Sequence, residues 1–220
     1  MEGAAVDPGA PLVVCLHGVR MNEALFARLL ARLFDLPLRF LFLRASLDAP
    51  PLTGQTHGAS WYDYDGNQDA FKGALERVEA QVRETIHAVE REQGLSPRRR
   101  VLLGFSQGGY CGSVLALRHP EEFSGLIVSG ARVKTEVLTD AMPRAAAAGM
   151  QVLLCQGRQD TVVPPDSAER SLTALVAAGV STELVWFESG HSMGRRQIEA
   201  IRGWLRRHFD LGAATSASIS

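Results

Sequence analysis

Apolar runs of strand length alternate along this chain with stretches of helical periodicity, and that alternation restricts the fold more than any other feature. The strand candidates are Leu12 to His17 (LVVCLH), Leu38 to Arg44 (LRFLFLR), Arg100 to Phe105 (RVLLGF), Gly125 to Gly130 (GLIVSG), Gln151 to Gly157 (QVLLCQG) and Thr182 to Glu188 (TELVWFE). The first five are nearly continuous in apolar residues, as strands covered on both faces should be. Between them the spacing predicts helices at about 22–34, 69–93, 107–118, 136–148, 166–179 and 194–209. In the second of these, Phe71, Leu75, Val78, Val82, Ile86 and Val89 step by three and four and mark one buried face. Strand and helix in alternation imply an α/β fold with a mostly parallel central sheet and helices on both faces.

Two stretches break the pattern. Residues 45–68 are irregular, rich in Gly, Pro and Thr, and hold Trp61, Tyr62 and Tyr64; so long a loop is uncommon and often helps to form a binding site. The small, polar tail at 212–220 is expected to have no fixed structure. With no internal repeat and no linker, residues 1–220 are read as one domain with its core at about 11–210. A net charge of -1 supplies no field to attract nucleic acid or an anionic membrane, so neither is expected as a partner. Arg98-Arg99-Arg100, Arg195-Arg196 and Arg206-Arg207 read as solvated surface or as counter-charge at helix ends. The opening MEGAAVDPGAP lacks the basic start and apolar segment of a signal peptide. No run approaches the ~18 apolar residues of a membrane span. Cys15 and Cys155 fall in strand candidates and Cys111 on a helix, without the paired spacing of a metal site. They read as buried, reduced thiols in a cytoplasmic protein, and no metal is expected.

The pattern Gly104-Phe105-Ser106-Gln107-Gly108 carries the chemistry. G-x-S-x-G alone is a weak signal in a chain with 21 glycines. Here an apolar strand runs directly into the serine and a helix follows at once, the strand–turn–helix context that exposes a nucleophilic hydroxyl above a sheet. A phosphate-binding turn would want G-x-G-x-x-G or a P-loop lysine at the first such turn, and neither is present.

A serine hydroxyl needs an imidazole to take its proton and a carboxylate to orient that imidazole. In folds with this elbow the order is Ser, then Asp or Glu, then His, each on a loop after a later strand. His119 sits at a helix end and His208 on the last helix, whereas His191 (in ESGHSMG) follows the final strand candidate. Asp160 (in GRQDTVVP) follows the strand at 151–156. Asp166 opens the next helix and is better explained as an N-cap, and Asp140 precedes the strand. Ester cleavage builds charge on the carbonyl oxygen, and the backbone N–H groups of Gln107 and Val19 are the expected oxyanion donors.

With LHGV at 16–19, SWYD at 60–63, GFSQGG at 104–109, GRQDTVVP at 157–164 and GHSM at 190–193, the chain resembles the phospholipase/carboxylesterase group of α/β-hydrolases, which includes the acyl-protein thioesterases. The pieces occur in that group's order from about residue 12 to residue 209. The resemblance implies a single-domain α/β-hydrolase fold and hydrolysis of carboxylic esters or thioesters without metal or organic cofactor. It places Trp61 near an acyl pocket, with a buried aromatic anchoring the loop as an equal reading. The family contains monomers and dimers, so a homodimer stays open. One departure stands out: the family continues HGxG with an acidic residue, whereas Arg20 and Met21 follow Val19 here. An arginine there would alter the oxyanion loop or put a positive charge at the pocket mouth.

The leading expectation is a short- to medium-chain carboxylesterase. A thioesterase or lysophospholipase for long acyl chains is the rival within enzymes, and a ligand-binding protein on a hydrolase scaffold is the rival outside them. An intact triad argues against the last, since binding alone needs none of the three residues.

Overall fold

In the computed structural model, which describes residues 7–211, the strands are β1 (Leu12–Leu16), β2 (Arg39–Leu43), β3 (Leu47–Ala49), β4 (Gly58–Ser60), β5 (Arg100–Phe105), β6 (Gly125–Ser129), β7 (Gln151–Gly157) and β8 (Ser181–Phe187). The helices are α1 (Glu23–Leu30), α2 (Gln68–Gln93), α3 (Gln107–Arg118), α4 (Ala141–Ala147), α5 (Pro165–Ala177) and α6 (Arg195–His208). The tail at 212–220 and residues 1–6 lie outside the described residues.

The six long strands form one sheet in the order β2-β1-β5-β6-β7-β8, every neighbouring pair parallel. Successive side chains along a strand point to opposite faces, and the core divides accordingly. Leu12, Val14 and Leu16 of β1, Leu102 of β5, Leu126 and Val128 of β6, and Val152 and Leu154 of β7 join the layer under α2, α3, α4 and α5. Their neighbours Val13, Cys15, Val101, Leu103, Ile127, Leu153 and Cys155 meet α1 and α6 on the other side. Both faces being covered explains why these strands read as continuous apolar runs.

The α2 stripe of Phe71, Leu75, Val78, Val82 and Ile86 is buried as its spacing predicts. Asn67 caps the helix by accepting the Asp69 and Ala70 amides, and Gly94, at φ 62, ends it in the left-handed conformation. Val89 is only half-buried; Glu90 takes the last inward place. Its carboxylate is held by Arg100 Nε and Nη2 at 2.6 and 2.7 Å, a two-point pair that offsets the cost of burying the charge. Arg100 thus departs from the surface reading of its cluster.

Three other expectations change. Within 45–68, β3 and β4 pair antiparallel (Leu47 with Ser60, Ala49 with Gly58), and such short strands carry too little alternation to be read from sequence. The helix expected at 136–148 is a 3-10 turn, Thr135–Val137, followed by the shorter α4. Pro143 is the third residue of α4, where a missing N–H leaves no acceptor unsatisfied. Asp166 is not the cap of α5; Pro164 holds that position, and Asp166 in the first turn pairs with Arg170.

Candidate functional site

Ser106 stands between β5 and α3 with φ 52 and ψ -121, outside the regions open to ordinary L-residues. Its surroundings hold it there. The Ser106 amide donates to the Ser129 carbonyl of β6 at 2.9 Å. A Cβ on Gly104 would lie 2.4 Å from the Gly108 carbonyl oxygen, and one on Gly108 only 2.3 Å from that of Leu16. The glycines flanking the serine are therefore required by the approach of helix to strand.

Asp160 and His191 reach Ser106 from loops after β7 and β8. The two loops touch directly: a Cβ on Gly157 would meet the Ser189 carbonyl oxygen at 2.3 Å, and the Gln159 amide donates to that same oxygen at 3.0 Å. His191 Nε2 lies 2.8 Å from Ser106 Oγ, and its Nδ1 lies 2.8 Å from Asp160 Oδ2. The Phe105 ring stands 5.1 Å from the imidazole, centroid to centroid. Asp160 is 4% exposed, and its other oxygen accepts from the Val162 and Val163 amides at 2.9 and 2.8 Å. Gln156 Nε2 adds a further donor to Oδ2 at 3.2 Å. Burial opposes ionisation of this carboxyl, but the Val163 amide, His191 and the Val162 amide outweigh it and hold Asp160 below the usual carboxylate range. An ionised carboxylate only accepts, so Nδ1 carries the ring proton and Nε2 is left to accept from the serine hydroxyl. A hydroxyl held in this way can act as a nucleophile.

Ser106 opens into a cleft of about 500 Å³ that Val19 and Gln107 also line. The Gln107 amide is the first of α3 and has no acceptor within the helix. Val19 belongs to a loop fixed from behind by His17, fully buried, whose Nδ1 meets the Gly18 carbonyl at 2.8 Å and whose Nε2 accepts from the Ala45 amide at 3.2 Å. Burial lowers the His17 pKa, in keeping with a neutral ring that donates on one side and accepts on the other.

Trp61 does not line this cleft. It is buried, tilted against His17, and donates Nε1–H to the His17 carbonyl at 2.8 Å, which is the anchoring reading. Its neighbour Tyr62 forms part of the cleft wall instead. The Gln107 side chain joins this loop to the nucleophile's helix: Oε1 accepts from the Trp61 amide at 2.8 Å, and Nε2 donates to the Tyr62 carbonyl at 2.7 Å. Arg20 also turns from the cleft. It sits at φ 67 with its guanidinium on the Pro50 and Pro51 carbonyls, so the family's missing glycine is replaced without a charge entering the pocket.

Sequence reasoning missed Tyr62, Tyr110, Arg132 and Arg170 as wall residues. No spacing announces them, since each lies on a loop or helix whose direction only the folded chain fixes. Among the described residues, His119, Glu121 and Glu122 form a group with metal-ligand spacing. Glu79, Arg83 and His87 already engage their polar atoms, and none of the three lines the cleft.

The parallel sheet, the strained serine turn and the loops after β7 and β8 define an α/β-hydrolase. Matching over residues 4–209, the chain belongs to the phospholipase/carboxylesterase family. It is similar to a probable carboxylesterase of Oryza sativa subsp. japonica, 26% identical over 171 residues that cover 69% of this chain and 60% of that protein. It is also similar to esterase YpfH of Escherichia coli (strain K12), at 23% identity over 90% of this chain and 83% of that one. Among solved structures, esterase PE8 superposes with a TM-score of 0.73 at 25% identity, covering 90% of this chain and 93% of the other. The chain spans only 60% of the rice relative's length and 52% of a related Arabidopsis thaliana protein's. No helix among the described residues is long and apolar enough to cross a membrane.

Proposed function

We propose that this protein hydrolyses carboxylic esters with short to medium acyl groups, using Ser106, His191 and Asp160 as a catalytic triad. The observation that carries the reading is the unbroken relay of two 2.8 Å contacts from Ser106 through His191 to Asp160 at the floor of a cleft. His191 Nε2 takes the hydroxyl proton as Ser106 Oγ attacks the ester carbonyl, and Asp160 stabilises the imidazolium. The Val19 and Gln107 amides receive the charge on the carbonyl oxygen. His191 returns the proton to the leaving alcohol, and the acyl group stays on Ser106. Water then attacks this acyl-enzyme, losing a proton to His191, and the acid departs as Ser106 regains its hydrogen. Two amides, an imidazole and a carboxylate stabilise each charge that develops in these steps, so the reading calls on no cofactor.

One feature favours the shorter acyl groups. The cleft holds about 500 Å³, and Arg132 and Arg170 share its wall with Val19, Tyr62, Ala131, Val162, Val163 and Pro164, so a long acyl chain would have to lie against charged groups. Cys15, Cys111 and Cys155 are buried and unpaired, which suits the reducing cytoplasm we assign to it. The test is kcat/KM for p-nitrophenyl esters from acetate to palmitate. Activity should peak at short or medium chains and fall at least ~10³-fold in Ser106→Ala. A peak at palmitate would replace this reading with the long-chain one, and activity surviving in Ser106→Ala would remove the triad.

A further inference from the structure

Among the described residues lining the Ser106 cleft there are two arginines, Arg132 and Arg170, and no acidic residue. Arg170 is matched by Asp166 one turn earlier on α5. Arg132 is not matched in the same way. It follows β6 by three residues, its guanidinium lies 5.5 Å from the Tyr110 ring centroid, and its Nη2 and Nη1 donate to Glu136 at 2.9 and 3.2 Å. Lys134 Nζ donates to the same Glu136 carboxylate at 3.2 Å. Two cations therefore share one carboxylate, and one positive charge is left over.

The surplus reaches the cleft through Arg132, whose side chain is 38% exposed against 12% for Lys134. Burial works against ionisation of Glu136, yet Arg132, the residue's own amide and Lys134 pull its pKa down to about 2. Glu136 is thus already ionised at working pH and has no further charge to offer. Asp160, the carboxylate beside His191, has both oxygens occupied by Val162, Val163, Gln156 and His191. Apolar residues of the cleft wall beside this net positive group strengthen its field at the reacting centre.

We infer that Arg132 is a specificity-determining residue and that the preferred substrates are esters carrying a second, ionised carboxylate, such as half-esters of dicarboxylic acids. Arg132 offers such a group a charge-assisted hydrogen bond while Ser106 attacks the ester carbonyl. The inference rests on the esterase reading above, and its test separates the two.

The probes are p-nitrophenyl hemisuccinate, hemiglutarate and hemiadipate, each paired with the neutral ester of equal length: butyrate, pentanoate and hexanoate. The quantity read is the anionic-to-neutral ratio of kcat/KM, after subtracting the rate of Ser106→Ala. The wild-type ratio should exceed about 10 at the best length, a gain within reach of one charge-assisted contact. Arg132→Gln should lower the ratio at least about tenfold and Arg132→Lys by less, because an ammonium keeps the charge and loses the fork. Glu136→Gln should raise it, since it frees the cations from their shared carboxylate, and 0.5 M salt should depress it. A wild-type ratio at or below one at every length overturns the inference and leaves the esterase reading standing. So does a ratio indifferent to both Arg132→Gln and Glu136→Gln. Absence of Ser106-dependent turnover of either series overturns both.

Discussion

Replacing Asp160 with Asn changes one atom and leaves the volume of the side chain intact, so its effects report on hydrogen bonding and charge rather than on packing. The carboxylate accepts from four donors: the Val162 and Val163 amides on Oδ1, and His191 Nδ1 and Gln156 Nε2 on Oδ2. An asparagine can satisfy only one side. With its oxygen on the two amides, its NH₂ confronts His191 and Gln156; turned over, it confronts the two amides. The first arrangement is the less costly, because His191 escapes the conflict by moving its proton to Nε2. That tautomer presents N–H to Ser106 and cannot take the hydroxyl proton. The expected loss in kcat is about 10⁴-fold, or roughly 5.5 kcal/mol of transition-state stabilisation, the size seen when a triad histidine is held in the wrong tautomer. Gln156 Nε2 keeps the Val163 carbonyl at 3.0 Å, so the lost contact should cost about 0.5–1.5 kcal/mol of stability, a Tm lower by roughly 1–6 °C. Stopped-flow turnover of p-nitrophenyl butyrate and a thermal melt measure the two effects separately. A variant within tenfold of wild-type kcat would refute the reasoning, since the ring proton would then not be governed by Asp160.

Three further perturbations follow from the geometry. Gly108→Ala puts a Cβ 2.3 Å from the Leu16 oxygen and 2.5 Å from that of His17, backbone atoms that cannot yield, so the melt should show a loss of about 3 kcal/mol together with activity. Gln107→Ala keeps the backbone amide but releases the Ser60–Tyr62 loop; kcat/KM should drop about tenfold, whereas an unaltered value would show that the loop is held without it. His208 lies between Trp204, Gln151 and Ser124, where burial and Arg99 lower its pKa from 6.5 to about 4. Between pH 6.5 and 4 the unfolded chain therefore binds the proton more readily, and stability should fall as pH drops through that window. The fall in Tm across it should be smaller in His208→Gln than in wild type.

The central fold was legible because strands covered on both faces are written as unbroken apolar runs, and β1, β5, β6 and β7 are written that way. Ser106 was legible because the turn it occupies tolerates only glycine at 104 and 108. His191 and Asp160 could be picked out by position alone, each on a loop that follows a strand of a parallel sheet. The walls of the cleft could not. Trp61 and Tyr62 are consecutive and face different sides of their loop, one anchoring against His17 and the other lining the cleft. No property of the two residues says which does which. Arg20 likewise read either as a change in the oxyanion loop or as a charge at the pocket mouth, because its positive φ and its bonds to Pro50 and Pro51 depend on a segment 30 residues away. Arg132 and Arg170 carry no signal in the sequence, because only the folded chain brings the turn after β6 and the start of α5 to one opening.

The bare contact between Gly157 and the Ser189 carbonyl has a mechanical meaning. Asp160 and His191 ride on loops that lean on each other backbone to backbone, so main-chain contact sets the spacing from which their side chains reach one another. A displacement of the loop after β8 would press on the loop after β7, so the support of the imidazole is tied to that of the aspartate. Ser106 is moored separately, to β6. The contact between Asp160 and His191 is backed by main-chain packing, which keeps the acceptor of the Nδ1 proton in place.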